Sequence, residues 1–143
     1  MIIQVFAVPA VASWFDGFMR GWLKSAPHDI LTMQTIAVPG SVAVPGVPVL
    51  PPRHLKLDSG AEQVVVFTPE ITGEPGVGDL TSLVVSKVWR HGIQPVVALA
   101  TDTPLSRRQL AESGLSGVYL LAEQPKRSLE DWGKILGQTW HHD

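Results

Sequence analysis

An α/β fold built on a parallel sheet is predicted by three features of the chain. Two short apolar runs, Val64–Phe67 and Pro95–Ala100, carry β-branched residues and are too short for helices. Between them Leu80, Leu83, Val84 and Val88 recur at helical spacing, with Asp79 placed to cap the start and Gly92 to stop the end. Residues 61–102 therefore read as one βαβ unit with a right-handed crossover. The third feature is that strand-like and helix-like stretches alternate along the rest of the chain.

Composition narrows the class further. A chain of 143 residues with 45% hydrophobic and 17% charged residues suits one globular domain, residues 1–143. The net charge of −2, with no basic stripe, argues against nucleic acid as a partner. Without cysteine, disulfides and thiolate chemistry are both excluded. No apolar run is long enough to span a bilayer. The apolar start, IIQVFAVPAVAS, lacks a basic leader and carries Gln4, so it reads as a first strand and not as a signal peptide. A cytoplasmic location is the expectation.

In order, Ile2–Val8 is strand one. Ser13 is placed to cap the first helix, with Asp16 three residues on as a variant capping box. Phe15, Phe18, Met19, Trp22 and Leu23 give that helix a broad apolar face, and Pro27 ends it. Ile30–Val38 is strand two, with Leu31, Met33 and Ile36 as core positions; its imperfect alternation suits an edge. Residues 39–60 hold five prolines and three glycines, which exclude a helix or a central strand. Short extended pieces around a Pro-Gly turn are expected there, forming a Pro/Gly-rich insertion or arm.

After the βαβ unit, Thr103 and Pro104 open a short helix that Gly114 closes. Gly117–Leu121 is strand five. Ser128 opens the last helix with Asp131 at its third position, and Leu129, Trp132, Ile135 and Leu136 are expected to face inward. Five strands and four helices imply a doubly wound parallel sheet. The simplest order is flavodoxin-like, 2-1-3-4-5, with a ligand crevice beyond the carboxyl ends of strands one and three.

That topology gathers the residues Ser13, Thr68, Glu70, Thr72, Glu74, Thr101 and Asp102 around one crevice, as candidate ligand-binding positions. Two carboxylates and two hydroxyls in the loop after strand three suit a magnesium ion or a phosphate-bearing ligand. The same residues also suit a solvated loop with a helix cap. Glycines 73, 76 and 78 match neither GxGxxG nor GxxxxGK[ST]. Thr101 and Asp102 could bind a hydroxy acid or a metal, or serve as turn residues. A response-regulator receiver would need acidic residues after strand one, where Ala7-Val8-Pro9-Ala10 stands. No HExxH or GxSxG occurs; His28, His54 and His91 are scattered, and His141-His142 could chelate a metal weakly or form a solvated tail.

Two passages resemble the bacterial glycerate kinase family. VVVFTPE, VSKVWRHGIQPVVALATD, LAESGLSGVYLLAEQP and SLED, within residues 64–131, are similar to that family's strand ending in TGEG, its HGIPVVALAG and its MSLEEAL-like segment. Residues 1–38 follow the family's opening strand, helix and strand. The resemblance implies a Rossmann-like domain that, in a competent enzyme, transfers phosphate from ATP to glycerate with magnesium. The chain also departs from the family. APDSFKG is replaced by Val8-Pro9-Ala10-Val11-Ala12-Ser13, PMADGGEG by Val38-Pro39-Gly40-Ser41-Val42, and the large inserted domain by residues 39–60.

The expectation is a degenerate glycerate-kinase-like protein that binds a small acid, a nucleotide or a protein partner without catalysis. The alternative is a minimal glycerate kinase using ATP and magnesium. Phosphoryl transfer needs cations against the developing charge, and the motif loops supply none. Five tryptophans and the apolar segment Val42 to Leu55 further imply a homodimer, with residues 42–55 as an arm or an added strand. The other possibility for that segment is that it folds back over its own sheet edge.

Overall fold

The computed structural model describes residues 2–37, 44–57, 60–67, 80, 84, 104 and 128–139, and the backbone of residues 96–101 and 118–121. It is a mixed α/β fold on a parallel sheet. The strands are β1 (Ile2–Ala7), β2 (Ile30–Thr35), β3 (Ala61–Phe67), β4 (Val96–Thr101) and β5 (Val118–Leu121). They pair in the order β2-β1-β3-β4-β5, every pair parallel. Helix α1 (Trp14–Ser25) follows β1, and helix α2 (Leu129–Thr139) follows β5. In the expected crossover helix, Leu80 and Val84 are helical and buried, and Pro104 is helical and exposed. The rest of that helix, with Asp79 and Gly92, and the rest of the helix from Thr103 to Gly114 lie outside the described residues.

Burial explains the central strands. In β1 every residue from Ile3 to Ala7 is buried, and Val64 to Phe67 of β3 are fully buried. Such continuous apolar runs are what a sheet covered on both faces requires. The edge strand β2 differs. Leu31 and Met33 are half-buried, Ile36 is fully buried, and Ile30 is 58% exposed. The ladder of β2 stops at Thr35, three residues short of the expected end; beyond it Ile36 donates its N–H to Ala7 C=O at 2.9 Å and bridges Leu50.

Successive residues of a strand face opposite sides. Phe67, which pairs with Ala7, meets Phe18 edge-on at 5.1 Å between ring centroids and Trp14 at 6.0 Å. That face of the sheet is therefore covered by α1. Trp22, also fully buried, stacks at a tilt on Phe18 and donates its indole N–H to Asp29 Oδ2 at 2.9 Å. This bond ties the end of α1 to the turn that enters β2.

The opposite face, at Gln4 and Phe6, is crossed by the chain between β2 and β3. Gln4 is buried and donates Nε2 to the Lys56 carbonyl at 2.9 Å; Gln34 donates to the same carbonyl at 3.0 Å. Leu55 is 2% exposed. Residues 50–57 thus form a strap, with a 3₁₀ turn at Pro52–His54, where a parallel crossover usually has a longer helix. The expected Pro-Gly turn is present: Val47 N–H donates to Val44 C=O, and Gly46 has φ +81°, the second central position of a type II turn. Of the two readings of this segment, its described part folds back. Leu50 N–H donates to Thr35 C=O, and Ala37 N–H to Leu50 C=O, along the outer edge of β2.

The two helices pack against each other through glycines. A Cβ at Gly21 would stand 1.8 Å from the Glu130 carbonyl oxygen, and one at Gly133 would stand 2.0 Å from that of Phe18. Backbone meets backbone there, which only glycine permits. Around this contact Lys24 pairs with Glu130, and Ser25 Oγ donates to the Lys134 carbonyl at 2.8 Å. The Lys24 ammonium, first by its hydrogen bond and then by its charge, holds the Glu130 carboxyl below its ordinary range.

The helix starts divide. Asp131 N–H donates to Ser128 Oγ at 3.2 Å and Ser128 N–H donates to Asp131 Oδ2 at 3.1 Å, a reciprocal capping box as expected. Ser13 is a correction: it makes no side-chain cap bond. Its backbone is helical (φ −64°, ψ −16°), because a 3₁₀ turn, Pro9–Val11, runs into α1. A capping side chain needs an extended backbone at that position. Carbonyls of the turn take the first helix donors instead, as in Phe15 N–H to Ala12 C=O.

Candidate functional site

The carboxyl ends of the strands mark one rim of the sheet, at Ala7, Thr35, Phe67, Thr101 and Leu121. At this rim Val8 N–H donates to Phe67 C=O at 3.3 Å, so the chain leaving β1 stays beside the end of β3. It then turns at Pro9–Val11 and enters α1. Pro9 and Val11 are buried. Proline at the start of the turn has no N–H to offer a ligand. From Val8 to Ser13 no side chain is charged.

A cleft of about 510 Å³ opens on the outer side of this rim. Ala12 and Ser13 form one wall, Met33 to Thr35 of the edge strand form the floor, and Gly46 to Leu50 form the far wall. The volume lies within the ordinary range for small-molecule sites, roughly 300–1,000 Å³. Among the described residues, none that lines it is ionisable. The Gln34 amide is turned away, bonded to the backbone of Lys56 on the opposite face. Among the described residues, the polar groups left to the cleft are the Ser13 and Thr35 hydroxyls and backbone.

The expected crevice residues fall into three groups. Ser13 stands exposed at the mouth of the cleft. Thr101 ends β4 at the expected rim, where its backbone pairs with Leu121. Thr68, Glu70, Thr72, Glu74 and Asp102 lie outside the described residues, as do His91, His141 and His142. Among the described residues no cluster of three or more His, Asp or Glu could hold a metal ion. The described residues also do not fit ATP and magnesium. The turn after β1 is packed and uncharged, and the described lining of the cleft includes neither a carboxylate nor a cation.

Residues 46–50 and Met33 to Thr35 were not singled out from the sequence as parts of a site. The available signal was the Pro/Gly-rich stretch following directly on an edge strand. No helix among the described residues is long and apolar enough to cross a membrane. No protein-family model matches the chain, and no curated protein matches it.

Proposed function

We propose that the chain is a non-catalytic binding protein. In this reading it is a degenerate glycerate-kinase-like domain of flavodoxin-like, doubly wound architecture, cytoplasmic, holding a small acid, a nucleotide or a protein partner at the carboxyl rim of its sheet. One observation carries it. The turn after β1, the place of a phosphate-handling loop in the resemblance, is an uncharged 3₁₀ turn with Pro9 and Val11 buried. Electrostatic stabilisation of a transferring phosphoryl group needs fixed donors and cations aimed at it. This turn offers no cation.

The expected assay result is no glycerate-dependent release of ADP from ATP and magnesium. In a thermal-shift screen of hydroxy acids and nucleotides, a ligand at a hundredfold excess over its Kd should stabilise by about 2.7 kcal/mol, roughly 8 °C for a domain of this size. Glu70→Ala should reduce that shift. ADP release at ordinary enzyme rates would instead establish the minimal kinase.

The reading includes a homodimer to which residues 42–55 contribute through the side chains that stay exposed after the described part folds back along β2. Its support is exposure: Val49 at 42%, Leu50 at 38% and Ile30 at 58% are large apolar side chains left at the surface. Light scattering at micromolar concentration should give twice the chain mass of 15.5 kDa. Ile30→Lys combined with Leu50→Lys should halve it. A monomer mass for the unaltered protein would remove the dimer and leave the binding reading standing.

A further inference from the structure

The chain between β2 and β3 carries a proline pattern that its path along the sheet does not require. Val47-Pro48 and Leu50-Pro51 are two pairs of an apolar residue and a proline, and Arg53 follows Leu50 at the same spacing. A polyproline II helix has about three residues per turn, so Val47 and Leu50 fall on one ridge and Pro48 and Pro51 on the next. Local sequence favours this conformation. Proline fixes its own φ at about −65° and drives the residue before it, here Val47, Leu50 and Pro51, into the extended region. Pro51 has φ −66° and ψ 155°, a polyproline II geometry. Leu50 is pinned by backbone hydrogen bonds to Thr35 and Ala37, which hold the segment in place. Its side chains stay outside. Pro48 is exposed, Val49 and Leu50 are exposed at 42% and 38%, and Val47 and Pro51 are half-buried. The chain then turns at Pro52–His54, where Arg53 and His54 are exposed. From Val44 to Leu57 the sequence has no carboxylate, against the cations Arg53 and Lys56.

We infer that residues 47–53 are a docking ridge for a protein domain with an aromatic-lined groove for polyproline II helices and a carboxylate at one end of that groove for Arg53. Segments with two prolines at this spacing are the ligands of such grooves. The preformed helix loses little entropy on docking and offers its apolar pairs at a fixed repeat. Val47-Pro48 and Leu50-Pro51 each fill one slot between rings. The Arg53 guanidinium, one repeat further on, sets the direction of the chain in the groove through a charge-assisted hydrogen bond. The bonds from Leu50 to the edge of β2 order the ridge before the partner arrives, which reduces the ordering cost again. Docking on this ridge goes beyond the reading above, whose ligand sits at the carboxyl rim.

The test titrates the full chain into a ¹⁵N-labelled SH3 domain of the class whose peptide ligands carry arginine two residues after the second proline. Signals of the groove should shift, with a micromolar Kd. Pro48→Ala combined with Pro51→Ala should weaken binding by about tenfold or more, and so should Arg53→Glu, at an exposed position. Lys56→Glu is the control. It changes an exposed cation of the same strap outside the pattern, and should move the Kd by less than about twofold. Circular dichroism and the denaturation midpoint check that each variant is folded. Leu50 also belongs to the dimer surface proposed above, so the titration is repeated with Ile30→Lys, which weakens the dimer and leaves residues 47–53 unchanged. No binding at millimolar concentration by either form would overturn the inference. Unchanged binding after the proline substitutions, or an equal loss with Arg53→Glu and Lys56→Glu, would overturn it as well.

Discussion

Gly21→Ala and Gly133→Ala will each destabilise the protein by about 3 kcal/mol or more, among the larger effects expected of a single methyl group. On helix propensity alone both changes should stabilise, by up to about 1 kcal/mol, since glycine is a poor helix former. The tertiary contact reverses the sign. A Cβ at Gly21 meets the Glu130 carbonyl oxygen at 1.8 Å, and a Cβ at Gly133 meets that of Phe18 at 2.0 Å. Both neighbours are backbone, so neither can swing aside, and the helices must separate. Separation strips packing from Phe18 and Trp22, both fully buried.

Gly17→Ala is the internal control. Its Cβ would meet Leu129 Cβ at 3.4 Å, an ordinary contact, so the propensity gain should survive as a neutral or slightly stabilising change. Gly137→Ala, at 3.2 Å from the Trp22 carbonyl oxygen, should fall between these cases. Chemical denaturation of the four variants gives the ranking. Equal effects at Gly17 and Gly21 would show that the helices do not approach as described.

Phe18→Ala should cost about 3–5 kcal/mol, the usual range for deleting a buried aromatic ring. A domain of ordinary stability has roughly 5–15 kcal/mol in all, so this one change removes a large share. Phe18 is fully buried and touches two other rings, Phe67 at 5.1 Å and Trp22 at 5.7 Å. It joins α1 to the sheet through the first ring and lies along its own helix against the second. The cavity would open at the junction of both layers, and neighbours held by backbone contact cannot collapse into it. The measurement is the denaturation midpoint, with an unchanged dependence on denaturant. A loss below about 1 kcal/mol would mean that this face of the sheet is covered by something other than α1.

Much of the layout was legible in the sequence, for local reasons. The run Val64–Phe67 read as a strand buried on both faces and Ile2–Val8 as a first strand, and both are strands of the sheet. The pair Ser128 and Asp131 announced a helix start, since a capping box needs nothing beyond four adjacent residues. Pro45-Gly46 likewise announced its turn. The cap assigned to Ser13 was misplaced because the same residue types can follow a 3₁₀ turn, and the backbone angle at Ser13 is set by how Pro9 and Val11 pack.

Three matters were decided only in the folded chain. Gly17, Gly21, Gly133 and Gly137 are spaced four apart on both helices, a pattern readable in the sequence. Which of them admits no side chain depends on where two helices distant in sequence cross. The path of residues 50–57 depends on Gln4 and Gln34, two strand amides that meet one carbonyl at Lys56 from positions 52 and 22 residues away. The cleft, finally, lies where Leu50, alone among the described residues, docks on the edge of β2 and Gly46 to Val49 line the far wall. Local sequence determines which backbone shapes are cheap, through side-chain branching, proline and glycine. Contacts between distant segments depend on the shapes of both partners at once, and so they are settled only when the chain has packed.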